Sequence, residues 1–157
     1  MAWGGLRASP LPRRGRVLNE PLSSFPPPGT ASGKVLDASA LAAWLDGQLS
    51  MSTWRSLARD LQLTFVIPAV ARAEVLTVYP DREDHLGVLL GDPNTVVVPD
   101  AGAAVETAAR RLQQDTGIFD PLATWVTGLC HQRDWPALSS DPDRLRRLAP
   151  DLPIDLL

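Results

Sequence analysis

The sequence predicts an α/β domain, a three-layer α/β/α sandwich with a mostly parallel central sheet. Three observations lead there. Short apolar runs recur through residues 35–157, several of them rich in valine and isoleucine. Segments with helical spacing of apolar residues separate them. Strands joined through helices pair in parallel and need helices on both faces to cover the sheet. With 157 residues, 45% of them hydrophobic, the chain has material for one domain with a real core.

Residues 1–34 stand apart. They hold six of the 15 prolines, among them Pro26-Pro27-Pro28. Such a stretch buries too little apolar surface to offset its ordering entropy, so it reads as a disordered tail. An over-extended start site would look the same. Gly29-Thr30-Ala31-Ser32-Gly33-Lys34 is one residue short of a phosphate loop and has Val35 where the hydroxyl belongs.

Val35-Leu36 is the first strand, and a helix follows to about Gln48 with Leu41, Trp44 and Leu45 on one face. A second helix spans Ser52–Leu61, its stripe Trp54, Leu57, Ala58 and Leu61. Thr64–Ile67 is a buried-type strand stopped by Pro68. Helices are expected at Ala69–Val78 and, more weakly, Arg82–Leu90. Asp92-Pro93-Asn94 turns the chain into strand Thr95–Val98. Helices Gly102–Gln114 and Phe119–Gln132 come next, then strand Ala137–Ser139, helix Pro142–Leu148 and strand Ile154–Leu156.

Charge narrows the function. Arg7, Arg13, Arg14, Arg16 and Lys34 face only Glu20 in the first 34 residues. That segment is therefore basic, and the folded part carries more than the whole net charge of −3. An acidic domain offers no broad phosphate-binding surface, although cations can bridge an acidic site to RNA. Cys130 is the only cysteine, so no internal disulfide forms and a reducing cytoplasm is expected. The N-terminus is not a secretory signal, and no stretch is apolar for the length of a membrane span.

Asp37, Asp120 and Asp141 each stand just before a predicted helix. Aspartate is a strong N-cap residue, which accounts for any one of them. Pro121 and Pro142 fill the first helical positions as that reading expects. Glu74 is different. It falls mid-helix between Val70 and Val78, beside the core-facing stripe, with no basic residue as an evident partner. Otherwise it reaches water from the edge of the stripe. Asp37 and Asp141 both follow strands, so both lie at the sheet's carboxyl edge. Carboxylates gathered there repel, and hard cations such as Mg²⁺ or Mn²⁺ relieve that repulsion.

The order and separation of these residues resemble the PIN-domain ribonucleases, above all the VapC-type toxins of toxin–antitoxin pairs. The resemblance covers residues 35–157. It rests on Val35-Leu36-Asp37-Ala38-Ser39-Ala40-Leu41, Ile67-Pro68-Ala69-Val70, Glu74-Val75-Leu76, Asp120-Pro121-Leu122-Ala123, Leu138-Ser139-Ser140-Asp141 and Leu152-Pro153-Ile154. It implies a PIN-like fold and an endoribonuclease dependent on Mg²⁺ or Mn²⁺. The four acids would be Asp37, Glu74, Asp120 and Asp141, with Asp37 and Asp120 the direct ligands and Ser139 the supporting hydroxyl. Pro121 departs from the family, which more often has a small residue there, and Asp115 is the alternative third acid. The implied partners are an RNA substrate, a cognate antitoxin and a second copy of the chain. Helices at Ala40–Leu45 and Ser52–Leu61 are candidates for the antitoxin groove or the dimer.

Arg144, Arg146 and Arg147 follow Asp141 closely; Arg144 and Arg146 are candidates for RNA phosphates, and a solvated helix face explains them equally well. Trp44, Trp54 and Trp125 read as core. Trp135 reads as a loop residue with an RNA-stacking alternative. His85, His131 and Cys130 do not make a zinc site. Two other functions compete with the toxin: a non-catalytic PIN-like interaction module, and a PIN nuclease that processes RNA without an antitoxin. A short upstream reading frame encoding a small DNA-binding protein would favour the toxin.

Overall fold

The computed structural model describes residues 32–157; expectations for residues 1–31 lie outside the described residues. Strands β1 (Gly33–Leu36), β2 (Thr64–Pro68), β3 (Thr95–Val98), β4 (Ala137–Ser139) and β5 (Ile154–Leu156) form one sheet. Its order is β3-β2-β1-β4-β5 and every pairing is parallel. Helices α1 (Ala38–Leu45), α2 (Leu49–Asp60), α3 (Ala69–Val78), α4 (Glu83–Leu90), α5 (Gly102–Thr116), α6 (Pro121–Arg133) and α7 (Pro142–Leu148) connect the strands and flank the sheet. This is the expected α/β/α sandwich.

The central strand carries the core. Val35 and Leu36 of β1 are fully buried, as are Val66 and Ile67 of β2 and Ala137 and Leu138 of β4. Strands covered on both faces read as continuous apolar runs rather than alternating ones, which is why they stood out in the sequence. The chain builds outward from β1 through β2 to β3, then returns to the other side of β1 for β4 and β5. The direction of building reverses beside β1. Open parallel sheets form a crevice at the carboxyl end of such a reversal.

Several boundaries differ from expectation. β1 begins at Gly33, so Gly33 and Lys34 belong to the sheet and not to the tail. Lys34 pairs with Asp155 at 2.6 Å across the sheet. Helix α1 ends at Leu45, before Gly47 at φ +69°. Helix α2 starts at Leu49, three residues before the predicted Ser52. Its buried residues are Met51 and Ala58, with Trp54 half-buried, while Leu57 and Leu61 of the predicted stripe are exposed. Phe119 lies outside α6 and is 75% exposed, because Asp120 caps the helix and Pro121 opens it. Trp135 is buried, in a position that excludes RNA stacking. A Cβ on Gly33 would come within 2.3 Å of the Trp135 ring, so the strand needs glycine at that point.

Candidate active site

Asp37 follows β1 directly and Asp141 follows β4 by two residues, so adjacent strands deliver both to the crevice beside the central strand. Asp37 is only 1% exposed. Its Oδ1 accepts the Ala40 amide at 2.9 Å and the Ser39 hydroxyl at 2.6 Å. Its Oδ2 accepts the Ser139 hydroxyl at 2.6 Å. Burial raises the Asp37 carboxyl above its ordinary range; the two serines and the Ala40 amide oppose that, and the negative Asp141 adds to it.

The serines join the two aspartates. Ser39 Oγ accepts the Ser140 amide at 2.9 Å and the Asp141 amide at 3.2 Å. Ser139 Oγ accepts the Asp141 amide at 2.9 Å. A hydroxyl has one proton to give. With both protons committed to Asp37, the 3.1 Å approach of Ser39 Oγ to Ser139 Oγ is enforced proximity and not a hydrogen bond. Ser139 was foreseen. Ser39 was not, although its place two residues after Asp37 on a helix start was the available signal.

Glu74 and Asp120 meet on Arg144. The guanidinium donates through Nε to Asp120 Oδ2 at 2.7 Å and through Nη2 to Asp120 Oδ1 at 2.9 Å. Nη1 and Nη2 donate to the two oxygens of Glu74, the latter at 3.1 Å. The expectation that Glu74 lacks a basic partner is therefore wrong. The partner lies 70 residues away in sequence, where helix spacing cannot reveal it. Arg72 does point elsewhere, to Glu83 at 2.7 Å. Nor are Val70 and Val78 the buried neighbours of Glu74: Ala71 and Val75 are, and Val78 is exposed. Burial raises the Asp120 carboxyl, but the Arg144 hydrogen bonds and the Ala123 amide outweigh it and hold it below its ordinary range. Arg144 is raised in turn, chiefly by Asp120 and then by Glu74.

All three aspartates are also helix caps. Asp37, Asp120 and Asp141 accept amides of Ala40, Ala123 and Arg144, the last at a long 3.4 Å. Capping and clustering turn out to be compatible, because α1, α6 and α7 all start at the same edge. Asp141 is exposed at the rim of a cavity of about 260 Å³ lined by Ser39, Ala42, Glu74, Tyr79, Asp141 and Arg144, among others. Arg146 is exposed, and the alternative acid Asp115 sits on the exposed face of α5. Burial pushes the Cys130 thiol up to about 12, which makes it inert.

The backbone architecture is similar to that of solved structures. One is the crystal structure of VapBC2 from Rickettsia felis bound to a DNA fragment from their promoter, with TM-score 0.63, 12% identity, and coverage of 78% of this chain and 97% of that one. Another is DNA-bound VapBC from Salmonella typhimurium, with TM-score 0.62, 13% identity, and coverage of 80% and 98%. The fold is PIN-like. At these identities the PIN-like likeness concerns the backbone architecture alone. No family profile and no curated protein matches the chain. No helix among the described residues is long and apolar enough to cross a membrane.

The donor set of this PIN-like domain is all oxygen, which suits a hard divalent cation. A cation, the Arg144 guanidinium, already stands between two of the acids. No group of three or more His, Cys, Asp or Glu among the described residues is set to hold a metal ion. The oxygen donors match the chemistry of a hard cation, and the Arg144 guanidinium lies between Glu74 and Asp120.

Proposed function

We propose that this chain is a divalent-metal-dependent endoribonuclease that hydrolyses RNA phosphodiester bonds as the toxin of a toxin–antitoxin pair. The observation that carries the reading is the assembly of Asp37, Glu74, Asp120 and Asp141 around one crevice of a PIN-like fold. Glu74, Asp120 and Asp141 would hold Mg²⁺ or Mn²⁺. Asp37 would support it, since its Oδ2 accepts one hydrogen bond, from Ser139 at 2.6 Å, and keeps a further lone pair. The cation supplies Lewis acidity, making water acidic and offsetting charge on the phosphodiester.

The chain's own residues do the rest. Ser39 and Ser139 hold both oxygens of Asp37 and tie it to the Asp141 backbone, fixing two of the acids relative to each other. The Asp120 cap anchors the third to the start of α6. Fixed dipoles of this kind need no reorganisation when charge develops at the phosphate. Arg146, exposed on α7, would meet RNA phosphates in this reading. The antitoxin and a second copy of the chain are further partners in this reading. Leu49 at the start of α2 and Leu61 just past its end are exposed and would offer them apolar anchors.

The Arg144 bridge favours a second reading, a non-catalytic interaction module, because it neutralises two acids without any metal. Asp37→Asn separates the two. Asparagine caps about as well as aspartate. Cleavage of a mixed RNA in Mn²⁺ is expected to drop about a hundredfold or more. Cleavage by the wild type that survives unchanged in the variant contradicts the assigned role, and no cleavage by either favours the module.

A further inference from the structure

We propose that Arg144 is a built-in competitor of the divalent cation: its guanidinium occupies the position between Glu74 and Asp120, and the ion binds there only as Arg144 swings away. This rests on the metal-dependent reading above. Glu74 and Asp120 converge on one guanidinium through three of its nitrogens, with Nη2 serving both carboxylates. Ion and guanidinium cannot share that space. The Arg144 side chain is 25% exposed, so its charge-assisted bonds to the two carboxylates form in a partly solvated setting.

Open space borders the arginine on one side. It sits in the first turn of the seven-residue α7, whose cap bond from Asp141 is long at 3.4 Å. The cavity of about 260 Å³ beside it is bordered by the exposed carboxylate of Asp141 and by Tyr79. A guanidinium displaced from Glu74 and Asp120 would move into that open space. A site open only part of the time binds with an affinity lowered by the open fraction. Arg144 thus sets the metal concentration at which the pocket loads.

The test is calorimetric titration of Mn²⁺ into the full chain. Arg144→Gln removes the charge, and Arg110→Gln, on an exposed side chain of α5, serves as the control. The proposal expects Arg144→Gln to bind Mn²⁺ at least about tenfold more tightly than wild type, with the control unchanged. It also expects Arg144→Gln to melt lower than wild type without metal and to recover more on adding Mn²⁺. If wild type and variant bind equally, or the variant more weakly, competition is wrong while the metal site stands. If neither binds, both the competition and the metal-dependent reading fall. Should the variant not fold, NMR of the wild-type Arg144 Nε–H decides. Its proton is expected to exchange slowly without metal and rapidly with saturating Mg²⁺, and no change on Mg²⁺ binding overturns the proposal.

Discussion

At Asp37 burial and hydrogen bonding pull in opposite directions, and burial wins. A carboxyl raised on folding contributes its stability below the ordinary carboxylate range and loses it as pH rises through the folded value. Asp37→Asn removes that loss. Metal-free stability of the variant, followed by urea denaturation, is therefore expected to match wild type in acid and to equal or exceed it at neutral pH. A variant clearly weaker at neutral pH would mean that the ionised carboxylate is worth more to the fold than its burial costs. Asp120 runs the other way, since Arg144 holds it below its ordinary range. Its contribution is present above the ordinary carboxylate range and is lost as pH falls through the lower folded value. Arg144→Gln is expected to flatten the acid limb of the stability–pH curve, and an unchanged limb would show that the pair adds nothing to stability. Residue types at the site were readable because Asp-Pro pairs and a mid-helix glutamate are unusual. The Arg144 bridge was not readable, because it joins residues far apart in sequence.

Among the elements, β1 is the most constrained. It lies between β2 and β4, and Gly33 meets both the Trp135 ring and the Thr64 carbonyl, the latter 2.5 Å from where a Cβ would sit. Gly33→Ala is expected to destabilise the domain by about 1–3 kcal/mol, the usual scale for overpacking. Equilibrium denaturation measures it, and a neutral change would mean that the tryptophan moves aside without strain. Strands were legible because sheets covered on both faces write themselves as apolar runs. Helix starts were legible at Asp37, Asp120 and Asp141, where cap and proline chemistry mark them. Helix α2 was misplaced because Gln48 caps nothing with its side chain and its buried stripe is thin, Met51 and Ala58 alone. Trp135 does lie in a loop, but its burial was not legible, because a loop tryptophan before proline carries no periodicity to reveal that it packs on Gly33.

For the whole molecule, the reversal of building direction beside β1 is what turns scattered acids into a site. Asp37 and Asp141 are 104 positions apart along the chain's numbering yet are joined through two serines. Parallel order was inferable from alternating strands and helices, and with it the edge where the acids gather. The source of neutralising charge was not inferable, and the fold supplies Arg144 where a divalent ion alone was expected. The central claim is that this crevice hydrolyses RNA with a divalent ion. The most direct measurement is end-group analysis of RNA incubated with the purified chain in Mn²⁺ and in excess chelator. The account predicts cleavage in Mn²⁺ alone, lost in Asp120→Asn, with products free of 2′,3′-cyclic phosphate because water and not the 2′-hydroxyl attacks. Intact RNA in Mn²⁺, cleavage that persists in chelator, or cyclic phosphate ends would contradict it.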